Sequence, residues 1–272
     1  MSNNVKKHGE VISQDVRSKI SMRYKAITKA VNGEFRNSQS DTMYSLYVGS
    51  YGRGTAIDTS DIDILIELPE TEYNRFDTQK GNGQSRLLQA VKNAILGTYP
   101  RTDIRADGQV VKVAFTDDTL FEVLPVFKNW DNTYKYPDTN MGGNWRSTNP
   151  KAEQDAMQQK NINSNGLFFD TCKHIRRIRD DKFSSYTLSG IVIDCFVYQA
   201  MGNWRWLNDG EQGTYNTQTY EQVLLDYYNQ RFANNLTQRI FGFTLTAPGS
   251  NQTVESSTSI SCLGKVLEHM TK

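Results

Sequence analysis

A two-part α+β protein, a mixed β-sheet followed by a helical lobe, is predicted by three features of the sequence. Up to about Asn140, helical stripes alternate with short apolar runs of strand length; beyond it nearly all periodicity is helical. A turn with three glycines, Gly49-Ser50-Tyr51-Gly52-Arg53-Gly54, separates two of those runs. The second run, Asp61-Ile62-Asp63-Ile64-Leu65-Ile66, carries two aspartates two residues apart. With 272 residues the chain has room for two lobes, and the boundaries expected are 11–140 and 141–272.

The elements follow in order. Ile12, Val16, Ile20, Tyr24, Ile27, Val31 and Phe35 recur at spacings of three and four, the stripe of one long helix, which Ser13 is placed to cap. Ser45 to Val48 and Asp61 to Leu68 read as strands joined by the glycine turn. Leu87, Leu88, Val91, Ala94 and Ile95 give a second helix, ended by Gly97 and Pro100. Val110 to Phe115 and Leu120 to Phe127 form a hairpin across Thr116-Asp117-Asp118-Thr119. The segment from Met141 to Pro150, rich in Gly, Asn and Ser, reads as a loop. Leu167, Phe168, Cys172, Ile175 and Ile178 give a helix, and Tyr186 to Tyr198 is apolar enough to be a buried one. Tyr220, Val223, Leu224 and Tyr227 give another. Thr246 to Ser259 is a surface loop before a closing helix through Leu263, Val266, Leu267 and Met270.

Composition excludes several classes. With 31 basic and 30 acidic residues the net charge is +1, so the chain lacks the surplus of a protein that tracks a long nucleic acid, and small charged substrates are expected. The three cysteines, Cys172, Cys195 and Cys262, are far apart and odd in number, which fits reduced thiols in a cytoplasm. No run approaches the roughly 18 apolar residues of a membrane span, so a cytoplasmic protein with no membrane partner is expected.

Asp61 and Asp63 lie on one face of a strand, where like charges favour a shared cation. Glu122, inside Leu120-Phe121-Glu122-Val123-Leu124-Pro125, is an acid in an apolar strand, costly to bury without a partner. A metal would supply that partner; so would a cross-hairpin pairing with Lys112. Gly49 lets backbone approach a ligand closely, and the Ser50 hydroxyl and neighbouring amides can hold phosphate oxygens.

The order Gly49-Ser50, then Asp61-x-Asp63, then an acid before an apolar-Pro segment resembles the polymerase-beta-like nucleotidyltransferases. Gly-Ser-Tyr-Gly-Arg-Gly-Thr-Ala-Ile with Ser-Asp-Ile-Asp-Ile is most similar to the bacterial cyclic-oligonucleotide synthases of anti-phage signalling (CD-NTases), relatives of the animal DNA sensor cyclic GMP-AMP synthase. The resemblance implies a nucleotidyltransferase core whose nucleotide cleft is closed by the helical lobe. Nucleoside triphosphates would be the substrates, a cyclic di- or trinucleotide messenger the product, and a cyclic-nucleotide-responsive effector the downstream partner.

It further implies that Asp61 and Asp63 hold both Mg²⁺ ions, Mn²⁺ being the alternative, while Glu122 helps hold the one beside the attacking hydroxyl. Ser50 and Gly49 hold the phosphates. Lys173, on a basic helix with Arg176 and Arg177, is the first candidate for a triphosphate contact. Ser185 and Tyr186, read as opening the buried helix, stand where similar enzymes place a serine and a base-stacking tyrosine. One departure stands out: many of these synthases have aspartate where this chain has Glu122. Two other readings stay open, a transferase acting on a small acceptor such as an aminoglycoside and a catalytically silent nucleotide-binding module.

Overall fold

The computed structural model describes residues 2–213, 217–233 and 244–272. Contacts divide the chain into a sheet unit, Ile12–Gly52 with Thr59–Pro150, and a helical unit, Met1–Val11 with Arg53–Asp58 and Lys151–Lys272. Neither is one continuous stretch.

The sheet unit opens with α1, Gln14–Arg36, whose stripe Ile20, Tyr24, Ile27 and Val31 is buried. Ser13 caps it as expected, its hydroxyl accepting the Val16 amide. Then come β1 (Ser45–Tyr47), α2 (Gly49–Arg53), β2 (Ile62–Glu67), α3 (Glu70–Asp77), α4 (Gly83–Thr98), β3 (Asp103–Asp107), β4 (Val110–Ala114), β5 (Leu120–Lys128), β6 (Tyr134–Asp138) and β7 (Asn144–Thr148). The main order is β1-β2-β5-β4-β3, with β6 joining β5 to β7. Among the described residues only the central β2–β5 pair is parallel, so the sheet is mixed.

Alternation assigns the faces. Ile62, Ile64, Phe121, Val123, Val111 and Val113 pack with α1 and α4 into one core. On the other face Val48, Leu65 and Val126 make a smaller cluster, and the same face carries Asp63, Glu122, Lys112 and Arg105.

Several elements differ from the sequence reading. The glycine segment is not a simple turn but runs into the short helix α2. Gly97 lies inside α4 rather than ending it. The loop read from Met141 to Pro150 contains β7, a polar strand held by backbone pairing with β6. Trp145 fixes it, packing on Tyr73 and Phe127 and donating its indole N–H to Asp77 at 2.8 Å. β3 and α3 also lack a sequence signal: Asp103, Arg105 and Asp107 leave β3 with little apolar alternation, and α3 is only 8 residues long.

The helical unit comprises α5 (Pro150–Asn163), α6 (Leu167–Lys182), α7 (Gly190–Ala200), α8 (Tyr220–Tyr228) with a π-helical continuation Asn229–Ala233, and α9 (Ile260–Met270). Pro150 starts α5, the position where a missing N–H costs least. The apolar faces of α6, α7, α8 and α9 close one core, which also buries Val5 from the N-terminal segment. That segment is tied down by two acids. The Glu221 carboxylate accepts from the Ser2 hydroxyl at 2.6 Å and from the Asn3 and Asn4 amides at 2.9 Å. Asp170 accepts from the His8 amide at 3.0 Å and the Trp206 indole at 2.8 Å. All three cysteines are free and buried. Among the described residues no helix is long and apolar enough to cross a membrane.

The buried helix begins at Gly190, not at Tyr186. Ser185 and Tyr186 instead lie in the turn after α6, where the Tyr186 amide donates to the Phe183 carbonyl at 2.9 Å. The Gly190 carbonyl is taken by Arg176 Nη2 at 2.9 Å, which fixes the start of α7.

Candidate active site

Parallel register sets Asp63 of β2 directly beside Glu122 of β5, and antiparallel register sets Glu122 beside Lys112 of β4 and Lys112 beside Arg105 of β3. Neighbouring residues in register share a face, so a row of two acids and two bases crosses the face opposite α1 and α4. Asp61 stands just before β2 and is exposed; Asp63 is half-buried. Gly49 opens α2 with φ +57°, and a Cβ there would overlap the Asp63 carboxylate. The Val48 amide donates to the Asp63 carbonyl at 2.9 Å, which holds the start of α2 against β2. Ser50 follows as the second residue of that helix.

Glu122 has the cross-hairpin partner that the sequence offers as one alternative: Lys112 Nζ lies 3.7 Å from its carboxylate and 2.7 Å from Asp107. Burial pushes the Glu122 carboxyl above its ordinary range, Lys112 pulls it back, and the negative charge of Asp61 adds to the rise. Among the described residues no three His, Cys, Asp or Glu side chains converge closely enough to hold a metal ion. The chemistry of the donor set suits a hard divalent cation: three carboxylates, one just before β2 and two paired in register on β2 and β5. Its third member, Glu122, is the one paired with Lys112.

The candidates of the helical unit occupy different surroundings. Lys173 is half-buried on α6. Its basic neighbours on the helix are both engaged by acids. Arg176 is fully buried, donating to Asp194 at 2.7 Å, and Arg177 is bound by Glu10 and Asp58 at 2.7 and 2.5 Å. Ser185 is exposed; Tyr186 is 47% exposed, with Lys265 over its ring at 5.2 Å.

Sequence reading missed one group altogether. Asp194, buried in α7, accepts from Arg176, from Arg53 Nε at 2.9 Å and from the Thr55 hydroxyl at 2.9 Å. Burial drives its carboxyl up, but the two guanidiniums outweigh that and hold it below the usual carboxylate range. Arg53 is the last residue of α2, and with Thr55 it belongs to the helical unit that holds Asp194. The signal was present: an isolated acid in Ile191-Val192-Ile193-Asp194-Cys195-Phe196-Val197, of the same kind that singled out Glu122.

Residues 8–161 match the model of the Second Messenger Oligonucleotide or Dinucleotide Synthetase domain. No curated protein sequence matches the chain. Its fold is similar to that of the Elizabethkingia meningoseptica CdnE cyclic dinucleotide synthase, solved with GTP and Apcpp, at TM-score 0.61 and 14% identity over 95% of this chain and 97% of that one. The Capnocytophaga granulosa STING-associated CdnE c-di-GMP synthase gives 0.66 and 12% over 96% and 81%. The Vibrio cholerae DncV cyclic AMP-GMP synthase gives 0.62 and 13% over 98% and 88%.

Proposed function

The chain belongs to the Second Messenger Oligonucleotide or Dinucleotide Synthetase family, the bacterial CD-NTases, and from that premise we propose that it makes its cyclic oligonucleotide at the acidic row of Asp61, Asp63 and Glu122. The observation that carries the proposal is the parallel register of Asp63 with Glu122, beside the glycine that leaves room for the Asp63 carboxylate. The CdnE structure with GTP and Apcpp supports nucleoside triphosphates as substrates.

Asp61, Asp63 and Glu122 would hold divalent ions, Mg²⁺ in the first place. Bound there, such ions would supply charge neutralisation for the triphosphate and a lowered pKa for the attacking hydroxyl. The residues do the rest: the carboxylates orient, Gly49 admits the phosphates close to backbone, and the Ser50 hydroxyl donates to a phosphate oxygen. Lys173, Ser185 and Tyr186 are proposed as further nucleotide contacts. The product would act on a cyclic-nucleotide-responsive effector in anti-phage defence.

The pairing of Glu122 with Lys112 favours a second reading, a catalytically silent nucleotide-binding module. One experiment separates the two. Incubation with all four triphosphates and Mg²⁺ or Mn²⁺, followed by phosphatase and mass spectrometry, should give a phosphatase-resistant cyclic product that Asp61→Asn fails to make. No such product under either metal would reject the catalytic reading.

A further inference from the structure

Lys112 has a place in the acidic row that the nucleotidyl-transfer reading leaves without a role. It sits opposite Glu122 in the antiparallel β4–β5 pair, and its ammonium is shared between Glu122 at 3.7 Å and Asp107 at 2.7 Å. Its side chain is 38% exposed and that of Glu122 26%, so both can move without unpacking the core. Glu122 is partly withdrawn from water, where an unpartnered carboxylate is costly. Asp107, 61% exposed on the edge strand β3, holds the same ammonium by the shorter of its two contacts.

We propose that Lys112 is a resident counter-cation for Glu122, a positioning residue that holds the third acid apart from Asp61 and Asp63 until a divalent ion takes it over. Asp107 keeps the ammonium paired after the exchange. The swap therefore leaves no charge stranded: the Glu122 carboxylate passes from one cation to another, and Lys112 retains its shorter contact. The longer glutamate matters here, because its extra methylene lets one carboxylate reach either cation. Lys112 thus competes with the metal and weakens its binding. The inference rests on the metal-site reading of Asp61, Asp63 and Glu122.

Binding of Mn²⁺ alone to the full chain, followed by electron paramagnetic resonance of the free ion, tests this without activity. Lys112→Met should tighten Mn²⁺ binding by about two- to fivefold, the range of a partly exposed ion pair. Lys112→Arg should stay near the wild type. In the Glu122→Gln background, Lys112→Met should have no effect, because the lysine acts through the glutamate. Unchanged affinity in Lys112→Met, or equal tightening with and without Glu122, overturns the inference while leaving the metal site standing. Wild-type Mn²⁺ binding that is absent, or that Asp61→Asn does not weaken, overturns the metal site and this inference together. Circular dichroism of each variant confirms that a change in affinity is not loss of fold.

Discussion

Gly49 and the Asp63 carboxylate share a space that holds only one of two things, a Cβ or a carboxylate oxygen. Gly49→Ala should therefore displace Asp63 and strain a left-handed backbone, costing at least about 1 kcal/mol. Thermal melting should show the cost, and product formation should be lost with it. Asp61→Asn and Asp63→Asn remove the charge and keep the shape of the side chain. Each should leave the melting temperature within a few degrees of wild type while lowering product formation by more than about a hundredfold, read by pyrophosphate release and mass spectrometry. These acids were legible because alternation on a strand fixes a shared face from spacing alone. The engagement of Glu122 was legible only as one of two alternatives, since hairpin register decides whether Lys112 or a neighbour stands opposite. Arg176, named from sequence only as a neighbour of Lys173 on a basic helix, turns inward because Asp194 and the Cys172 and Gly190 carbonyls take its guanidinium.

Among the elements, α7 is the one whose stability depends most on charge. Asp194→Asn would leave the Arg176 guanidinium buried without its anion, a loss of about 3–5 kcal/mol, measurable by urea denaturation. The pH dependence has a definite sign. A carboxyl held below its ordinary value of 3.8 stabilises the fold fully above that pH and loses the contribution as pH falls below it towards the folded value. Between about pH 5 and pH 2 the variant's unfolding free energy should therefore vary less steeply than that of the wild type. Strong apolar periodicity made α1, α4, α6 and α9 readable from sequence. The strands β3, β6 and β7 were not, because their residues are largely polar and their stability comes from backbone partners contributed elsewhere in the chain.

At the scale of the whole molecule, the division of contacts shows what a contiguous reading of the sequence cannot. The helical unit takes Val5 into its core and takes Arg53 and Thr55 as partners of Asp194, all from outside 151–272. A fragment of residues 151–272 expressed alone should therefore fail to give a cooperative melting transition in calorimetry. Adding back residues 1–58 in the same chain should improve it. Such pairings are invisible to local pattern, because each joins segments more than a hundred residues apart.

The interleaving also orders events on the ribosome. Every segment of the sheet unit has been synthesised once Pro150 is made, so the strands that carry Asp63 and Glu122 can pair while the rest of the chain is still being translated. Residues 2–10 and 53–58 have by then emerged but lack the helices they pack on. Residues 53–58 find their partners only when α6 and α7 have emerged, and Ser2 only when α8 has followed.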